Sequence, residues 1–247
     1  MPIASRPDHV AIAVPSIDDA LARWQGDLGG VIQWRFHTPT VFHGAAVMFA
    51  SGAYLEMLMP SDATERTRMA GGPSGFVDAF LDRFGPRVHH VTLKVQDINE
   101  ALATLEAEGF TPRDVNLDNP SWQEAFLRPS QIGGLIVQIA SSDRSNEDWA
   151  AMNGHELPGR PAAGGPGLLG PQLVHDDLDR ARTVWTALGG DVTDDGDGLL
   201  VSWPGEPLTV AIALGDAPAA IGVRFTNLPD EKSLPADPAF GPPAFAR

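Results

Sequence analysis

Two segments of the chain share one arrangement of apolar and polar positions. The first, residues 8–30, opens with the strand-like DHVAIAV and continues as IDDALARW, in which apolar residues recur at helical spacing. The second, residues 89–110, opens with HHVTLKV and continues as INEALATLEAEGF. Aligning the two segments places His9 on His90. We interpret the match as an internal repeat, and we expect a strand followed by a helix in each segment.

Further strand-like runs follow each predicted helix. VIQWRF, AAVMFAS and YLEMLMP follow the first, and EAFLRP and GGLIVQIA follow the second. A weaker third copy at residues 167–190 keeps the strand–helix pattern, but Gly170 stands where the first copy has His9. Residues 219–228 resemble the first strand of a fourth copy that stops early. The pattern predicts an α+β fold of paired βαβββ modules plus a degenerate third module.

Composition along the chain predicts its domain organisation. Residues 1–140 hold the first two copies, and residues 168–247 hold the third copy and a proline-rich tail that we expect to be irregular. Residues 141–167 are rich in proline, glycine and polar residues. Such a composition is typical of a linker between the two predicted domains.

The overall composition restricts the chemistry. The 247 residues include no cysteine, which excludes disulfides, thiolate nucleophiles and cysteine-bound zinc or iron–sulfur clusters. A formal net charge of -15 disfavours binding to nucleic acid or to an anionic membrane surface. The N-terminal MPIASRPDHV lacks the apolar run of a signal peptide, and no apolar stretch reaches the ~18 residues that indicate a membrane span. We therefore expect a soluble, cytoplasmic protein.

Alternation along the predicted strands brings four polar residues together. Glu56 in YLEML and Gln138 in LIVQI occupy matching positions on the last strand of each copy, as His9 and His90 do on the first. If the copies pack as pseudo-symmetric halves, these four side chains converge, whereas His89 points to the opposite face and is expected to be structural or exposed. Two imidazoles, a carboxylate and an amide oxygen suit a divalent first-row metal that keeps positions open for substrate.

The segments DHVAIAVPSIDDALARW, YLEMLMP, VHHVTLKVQDINEALATLEAEGF and EAFLRPSQIGGLIVQIA resemble the vicinal oxygen chelate superfamily, and within it the glyoxalase I and methylmalonyl-CoA epimerase branch. The resemblance implies that the modules form a curved mixed sheet around one metal ion, which would be Ni, Co, Zn, Mn or Fe. It implies the ligands His9, Glu56, His90 and Gln138. It also implies chelation of vicinal oxygens of a small oxygenated substrate, with isomerase or lyase chemistry by proton transfer.

The sequence departs from the epimerase pattern at two places. The last ligand is Gln138, where the epimerases have a glutamate, and an amide cannot act as a proton-transfer base. The middle strand of the first module carries no acid, where the epimerases have a base. His43 lies nearest to that place, and Glu124 occupies the matching place in the second module. We expect one of these two residues to move the proton.

Aromatic residues near these positions are candidates for substrate binding. Tyr54 shares a strand face with Glu56, while Trp122 and Phe126 flank Glu124 at alternate positions. We expect a small-molecule substrate, no nucleic-acid or membrane partner, and an assembly for which a homodimer is one option.

Two other functions fit the same pattern. His9, His90 and Glu56 could form the triad of a non-haem Fe(II) ring-cleaving dioxygenase. The chain could also be a non-catalytic small-molecule binding or resistance protein. Metal content and dioxygen uptake distinguish these functions from an isomerase.

Overall fold

The structure, a computed structural model, describes residues 1–38, 42–61, 75–145, 148–149, 151, 159–229, 233–239 and 241–246. Part of the predicted linker 141–167 lies outside the described residues. None of the helices in the described ranges has the length and apolar character needed to cross a lipid bilayer.

The first predicted module has the expected order of elements. These are β1 (Ser5–Ala13), α1 (Ile17–Leu21) with a π-helical continuation (Ala22–Asp27), β2 (Val31–Thr38), β3 (Phe42–Met48) and β4 (Tyr54–Pro60), followed by α2 (Phe76–Phe84). The side chain of Ser16 accepts a hydrogen bond from the Asp19 N–H at 3.2 Å, which caps the start of α1. On its inner side α1 buries Ile17 and Ala20.

The second module repeats this order with one short helix added. Its elements are β5 (Arg87–Val95), α3 (Ile98–Ala107), β6 (Arg113–Asn116), β7 (Gln123–Leu127), α4 (Pro129–Ile132) and β8 (Ile136–Ser141). Asp97 caps α3 by accepting hydrogen bonds from two backbone N–H groups of its first turn. The apolar stripe that predicts this helix is buried, and consists of Ile98, Ala101, Leu102 and Leu105.

The third module and the C-terminal segment supply the remaining elements. They are β9 (Gly167–His175), α5 (Leu178–Ala187), β10 (Asp191–Asp195), β11 (Gly198–Ser202), β12 (Val210–Leu214), β13 (Ala219–Thr226) and β14 (Ala244–Ala246). The strand predicted at residues 219–228 is therefore present as β13. The tail adds the short strand β14, which pairs in parallel with β13.

The strands of the described residues form two mixed sheets. The eight-stranded sheet has the order β2-β3-β4-β1-β5-β8-β7-β6, and the six-stranded sheet has the order β10-β11-β12-β9-β13-β14. Parallel pairing of β5 with β8 and antiparallel pairing of β7 with β8 make the first sheet mixed. The predicted α+β class with two βαβββ modules is confirmed.

The chain divides into two compact units, each made of several segments. One unit comprises Met1–Val10, His89–Ser145 and Leu169–Ile221, and the other comprises Ala11–Val88, Asn146–Leu168 and Gly222–Arg247. The core of the second unit includes Trp24, whose ring stacks on Phe225 at a centroid distance of 6.1 Å. The domain boundaries drawn from composition stay a prediction.

Gly170, which stands where the first module has His9, has a backbone that excludes a side chain. Its φ is +123°, and a Cβ atom there would overlap the carbonyl oxygen of Thr209. The third module therefore has no room at this position for a side chain that could ligate a metal.

Replacing Gly170 with alanine is expected to destabilise the protein by about 1–3 kcal/mol through steric overlap, with backbone strain added. Gly196 is the matched control, because its φ is +66° but no atom lies within 4 Å of the added Cβ. Urea unfolding of both variants measures the difference. If Gly170→Ala and Gly196→Ala lowered the free energy of unfolding equally, the expected steric penalty from Thr209 would be contradicted.

Candidate metal centre

Strand β5 places three polar side chains on one face of the sheet. His90, Thr92 and Lys94 alternate along it, and all three are buried. In the parallel register with β8, Thr92 lies opposite Gln138. The hydroxyl of Thr92 donates to Oε1 of Gln138 at 2.5 Å, so the strand pairing fixes the position of the Gln138 amide.

Strand β7 brings Glu124 to the same face. Phe126 lies opposite Gln138 in the antiparallel register, and Glu124 is two residues away, so both share the face of Gln138. Nε2 of Gln138 donates to Oε2 of Glu124 at 2.6 Å, and Nε1 of Trp122 donates to the same oxygen at 2.9 Å. These two donors hold the carboxylate, and the carboxylate in turn keeps the amide nitrogen of Gln138 on its side. Oε1 of Gln138 therefore points away from Glu124.

His9 is engaged at both ring nitrogens. Its Nδ1 lies 2.8 Å from Oδ2 of Asp8, and its Nε2 lies 2.9 Å from the hydroxyl of Thr92. The other oxygen of Asp8 forms a buried ion pair with Nζ of Lys94 at 3.0 Å. Burial raises the pKa of Asp8, but the hydrogen bond from His9 and the charges of His9 and Lys94 outweigh burial and bring this pKa well below 3.8. Asp8 is therefore ionised and can only accept the proton on Nδ1 of His9.

His90 is buried beside a second histidine. Its Nδ1 lies 2.8 Å from Nδ1 of His89, and its Nε2 is buried and makes no hydrogen bond to any residue that the structure describes. Burial lowers the pKa of His89 from 6.5 to about 4. Burial, together with the neighbouring His89 and His9, also lowers the pKa of His90, and a contact with Gln138 opposes this only in part. Both rings are therefore neutral near neutral pH.

Three of the four predicted ligands come together. His9, Glu56 and His90 each offer one ligand atom, and these atoms all lie within 4.8 Å of one another. Gln138 joins the group through Thr92, which contacts both His9 and Gln138. We call these four residues the donor cluster. Their role as metal ligands stays a prediction.

The hydrogen-bond count of the donor cluster fits a cation. Oε1 of Gln138 and the carboxylate of Glu56 are acceptors, and Nε2 of His9 becomes one when His9 is neutral with its Nδ1 donating to Asp8. The hydroxyl of Thr92 supplies one proton, which both His9 and Gln138 approach. Nε2 of His90 is buried and makes no hydrogen bond to a described residue. A cation bound among these side chains would give this nitrogen a partner.

The surroundings of Glu56 are apolar. Glu56 lies opposite Ala46 in the β3–β4 register. Leu58, two residues further along the same face of β4, packs in a buried cluster with Ala11, Ala13 and Val77 of α2. Apolar side chains therefore occupy the neighbouring positions on this face of β4, while Glu56 itself is half-buried.

The register of β3 separates His43 from Glu56. His43 lies opposite Met59 and Ala46 lies opposite Glu56, so an odd number of residues places His43 on the other face of the sheet from Glu56. Gly44, on the face of Glu56, occupies the place in the first module that Glu124 occupies in the second. The Phe36 ring fills the space that a side chain on Gly44 would need. This geometry favours Glu124 over His43 as the group that moves a proton.

The three predicted substrate-binding aromatics have different surroundings. Tyr54 packs against Trp34 at a ring-centroid distance of 5.4 Å. Phe126 meets His90 edge-on at 6.5 Å, and the Trp122 ring lies 5.3 Å from Nζ of Lys94. Phe126 and Trp122 thus contact side chains that surround the donor cluster. A role in substrate binding stays a prediction for all three.

Sequence reasoning assigned no function to Asp8, His89, Thr92 or Lys94. Strand alternation offered one signal, because Thr92 and Lys94 share the face of His90. It gave no signal for Asp8 and His89, since each directly precedes a predicted ligand and alternation places adjacent residues on opposite faces. In the structure both contact the adjacent histidine through Nδ1.

The buried histidines make stability depend on pH in a defined window. The folded-state pKa of His89, about 4, is below its ordinary 6.5, so the unfolded chain binds more protons between these values. The metal-free protein is expected to lose stability as pH falls from about 6.5 to about 4, by on the order of 3 kcal/mol for His89. The contribution of Asp8 remains in this window, because it is lost only below about 3.8. In urea unfolding with EDTA present, the free energy of unfolding of His89→Asn should fall less steeply as pH decreases than that of the unsubstituted protein. An equally steep fall would contradict the assignment of this pH dependence to His89.

Comparisons with known proteins show what the N-terminal half of this chain is similar to. Residues 8–126 match the family model described as the glyoxalase/bleomycin resistance protein/dioxygenase superfamily. Human mitochondrial methylmalonyl-CoA epimerase is 27% identical over 139 residues, which cover 54% of this chain and 72% of that protein. The ethylmalonyl-CoA/methylmalonyl-CoA epimerase of Cereibacter sphaeroides is 26% identical over 141 residues, which cover 54% of this chain and 96% of that protein. Both relatives are isomerases by name.

A similar structure extends beyond the matched region. The crystal structure of a hypothetical protein from Staphylococcus aureus covers 97% of this chain and 98% of its own, with a TM-score of 0.65 and 11% sequence identity. At this identity the match shows a shared fold alone. The region that matches this crystal structure includes the third module.

Proposed function

Residues 8–126 of this chain form a domain of the glyoxalase/bleomycin resistance/dioxygenase superfamily, and on this basis we propose that the protein is a divalent-metal-dependent isomerase. The proposed reaction moves a proton at a carbon next to a carbonyl group of a small oxygenated substrate. Lyase chemistry could begin with the same proton transfer. The observation that carries the proposal is the convergence of His9, Glu56 and His90, whose ligand atoms all lie within 4.8 Å of one another, with Nε2 of His90 buried and without a hydrogen bond to a described residue.

His9, Glu56, His90 and Gln138 would hold the cation. A divalent metal bound there would act as a Lewis acid on a substrate oxygen. Its identity is left open among Ni, Co, Zn, Mn and Fe. Two neutral nitrogens, one amide oxygen and one carboxylate leave half of the charge of a divalent ion uncompensated, which favours an oxygen-rich substrate that is itself anionic.

Glu124 is the side chain that we assign to proton transfer. It lies on the same face as Gln138, and its Oε2 is held by Trp122 and Gln138. These hydrogen bonds fix the carboxylate in one orientation, which a general base requires in order to reach one carbon of a bound substrate. Gln138 cannot take this role, because its amide is too weakly basic to accept a proton at neutral pH.

Deuterium incorporation tests the proposed reaction. The protein is loaded with Co²⁺, Ni²⁺, Zn²⁺, Mn²⁺ or Fe²⁺ and incubated in D₂O with methylmalonyl-CoA, other acyl-CoA esters, hydroxy-ketones and 2-oxoacid derivatives. Proton NMR should show metal-dependent loss of the signal at the carbon next to the carbonyl for one of these classes. No exchange with any class in any metal-loaded sample would overturn the proposal.

A second function is compatible with three members of the donor cluster. His9, Glu56 and His90 form the two-histidine, one-carboxylate set of non-haem iron oxygenases. Against ring cleavage, both reported relatives carry names of epimerases. Fe(II)-dependent dioxygen uptake with a catechol would support the oxygenase, and its absence with deuterium exchange present would support the isomerase. A metal-free protein that binds small molecules without turnover would instead support the binding-protein alternative.

A further inference from the structure

The connection between β7 and β8 joins the strand that carries Glu124 to the strand that carries Gln138. It consists of α4 followed by Gly133 and Gly134, whose φ angles are +93° and +89°. The backbone N–H groups of both glycines donate to the carbonyl oxygen of Pro129, at 2.8 Å and 2.9 Å. We call this connection the β7–β8 turn. Because β7 and β8 pair in antiparallel register, its conformation helps to set the position of Glu124 relative to Gln138.

Helix α5 of the third module contacts the β7–β8 turn. Nη2 of Arg180 donates to the carbonyl oxygen of Ser130 at 2.9 Å. Ser130 lies in α4, and the last carbonyl groups of a helix have no partners within the helix itself. A side-chain donor from another module therefore takes the place of a helix cap. Both residues are exposed, so this contact can be removed by substitution without opening the core.

Two strands of the third module also contact the same turn. The ring of His175, at the end of β9, is buried, and a Cβ atom on Gly133 would overlap its Cδ2 and Nε2 atoms. A Cβ atom on Gly134 would overlap the backbone nitrogen of Ala219, the first residue of β13. All of these residues belong to one compact unit of the chain. Such close approach to the third module requires residues without a side chain in the turn.

We propose that the third module holds the β7–β8 turn through the positioning residues Arg180 and His175, and thereby fixes the Glu124 carboxylate. The inference rests on the proposed function, in which Glu124 moves the proton. It gives a role to the module that has Gly170 in place of a ligand. Misplacing a reacting group by about 1 Å can cost about 100-fold in rate, so a smaller displacement of the turn is expected to lower kcat about tenfold. KM should change much less, because Arg180 and His175 are not among the residues assigned to substrate or metal binding.

Substitution of Arg180 tests the contact at the surface. Arg182 is the matched control, because it lies on the same helix but donates to β10 within the third module itself. The readouts are kcat and KM for deuterium incorporation, and the NMR resonance of the Trp122 indole N–H, which donates to Glu124. Arg180→Met should lower kcat and shift this resonance, and Arg180→Lys should restore both. Arg182→Met should change neither.

A double-substitution cycle tests the buried contact. Gly133→Ala adds backbone strain in any background, but its methyl group overlaps the ring only while His175 is present. The loss of kcat and the shift of the Trp122 resonance on Gly133→Ala should therefore be larger in the unsubstituted protein than in His175→Ala. If a variant of the cycle does not fold, the comparison of Arg180→Met with its control decides alone.

An effect at either contact supports the inference. It is overturned if Arg180→Met leaves kcat and the Trp122 resonance unchanged and the two losses in the cycle are equal. If no metal-loaded sample shows proton transfer with any substrate class, the proposed function fails, while the Trp122 resonance still decides whether the third module positions Glu124.

Discussion

Replacing His90 with alanine is expected to weaken Co²⁺ binding at least about 100-fold. Loss of an outer hydrogen-bond partner alone costs about 10–100-fold, and this substitution removes a ligand itself. The effect is large because Nε2 of His90 is buried and makes no hydrogen bond within the part of the chain that the structure describes. Isothermal titration with Co²⁺ measures the change.

Two controls separate loss of the ligand from loss of the fold. His43→Ala also removes an imidazole, but His43 lies on the opposite face of the sheet from Glu56, so its Co²⁺ affinity should match that of the unsubstituted protein. Metal binding to the native state should stabilise the unsubstituted protein by about 2.7 kcal/mol at 100 times Kd. His90→Ala should still unfold cooperatively, but added Co²⁺ should not raise its free energy of unfolding by this amount. Cobalt affinity unchanged in a folded His90→Ala variant would contradict the proposed centre.

Replacing Glu124 with glutamine is expected to slow deuterium incorporation about 10²–10⁴-fold, the usual contribution of a general base. Glutamine keeps the size of the side chain and an oxygen that can accept from Nε1 of Trp122. It cannot accept a proton at neutral pH. Co²⁺ affinity should change far less than the rate, because Glu124 contacts Gln138 rather than the cation position.

The matched comparison is His43→Gln, since His43 is the other candidate base from the sequence. The register places His43 away from the face that carries Glu56, so this variant should lose much less activity than Glu124→Gln. If His43→Gln abolished exchange while Glu124→Gln retained it, the assignment of the base would be reversed.

Periodicity was sufficient for the first strand and the helix of each module, but it did not predict α2, α4 or β14. The apolar stripe of Ile98, Ala101, Leu102 and Leu105 predicts α3, and an aspartate or serine precedes α1, α3 and α5 as a cap. The matching strand positions of the two modules predicted the approach of His9, Glu56 and His90. These features follow from local spacing and from the repeat, both of which are visible in the sequence.

The contacts that define the chemistry depend on strand partners that lie far apart in sequence. The link from Gln138 to Glu124 requires the register of β7 with β8, and the link to Thr92 requires that of β5 with β8. Alternation also misplaces Asp8 and His89, because side-chain torsions let each reach the histidine beside it. Phe36 over Gly44, which leaves the first module without room for a carboxylate at that place, likewise depends on packing that spacing does not encode.

Anomalous diffraction from crystals grown with Co²⁺ tests the metal centre most directly. Data collected on either side of the cobalt absorption edge locate the ion independently of any assumption about its ligands. We predict one peak per chain, about 2.0–2.2 Å from Nε2 of His9, Nε2 of His90 and oxygens of Glu56 and Gln138. No peak at these four residues, or a peak bound only elsewhere, would contradict the proposed centre.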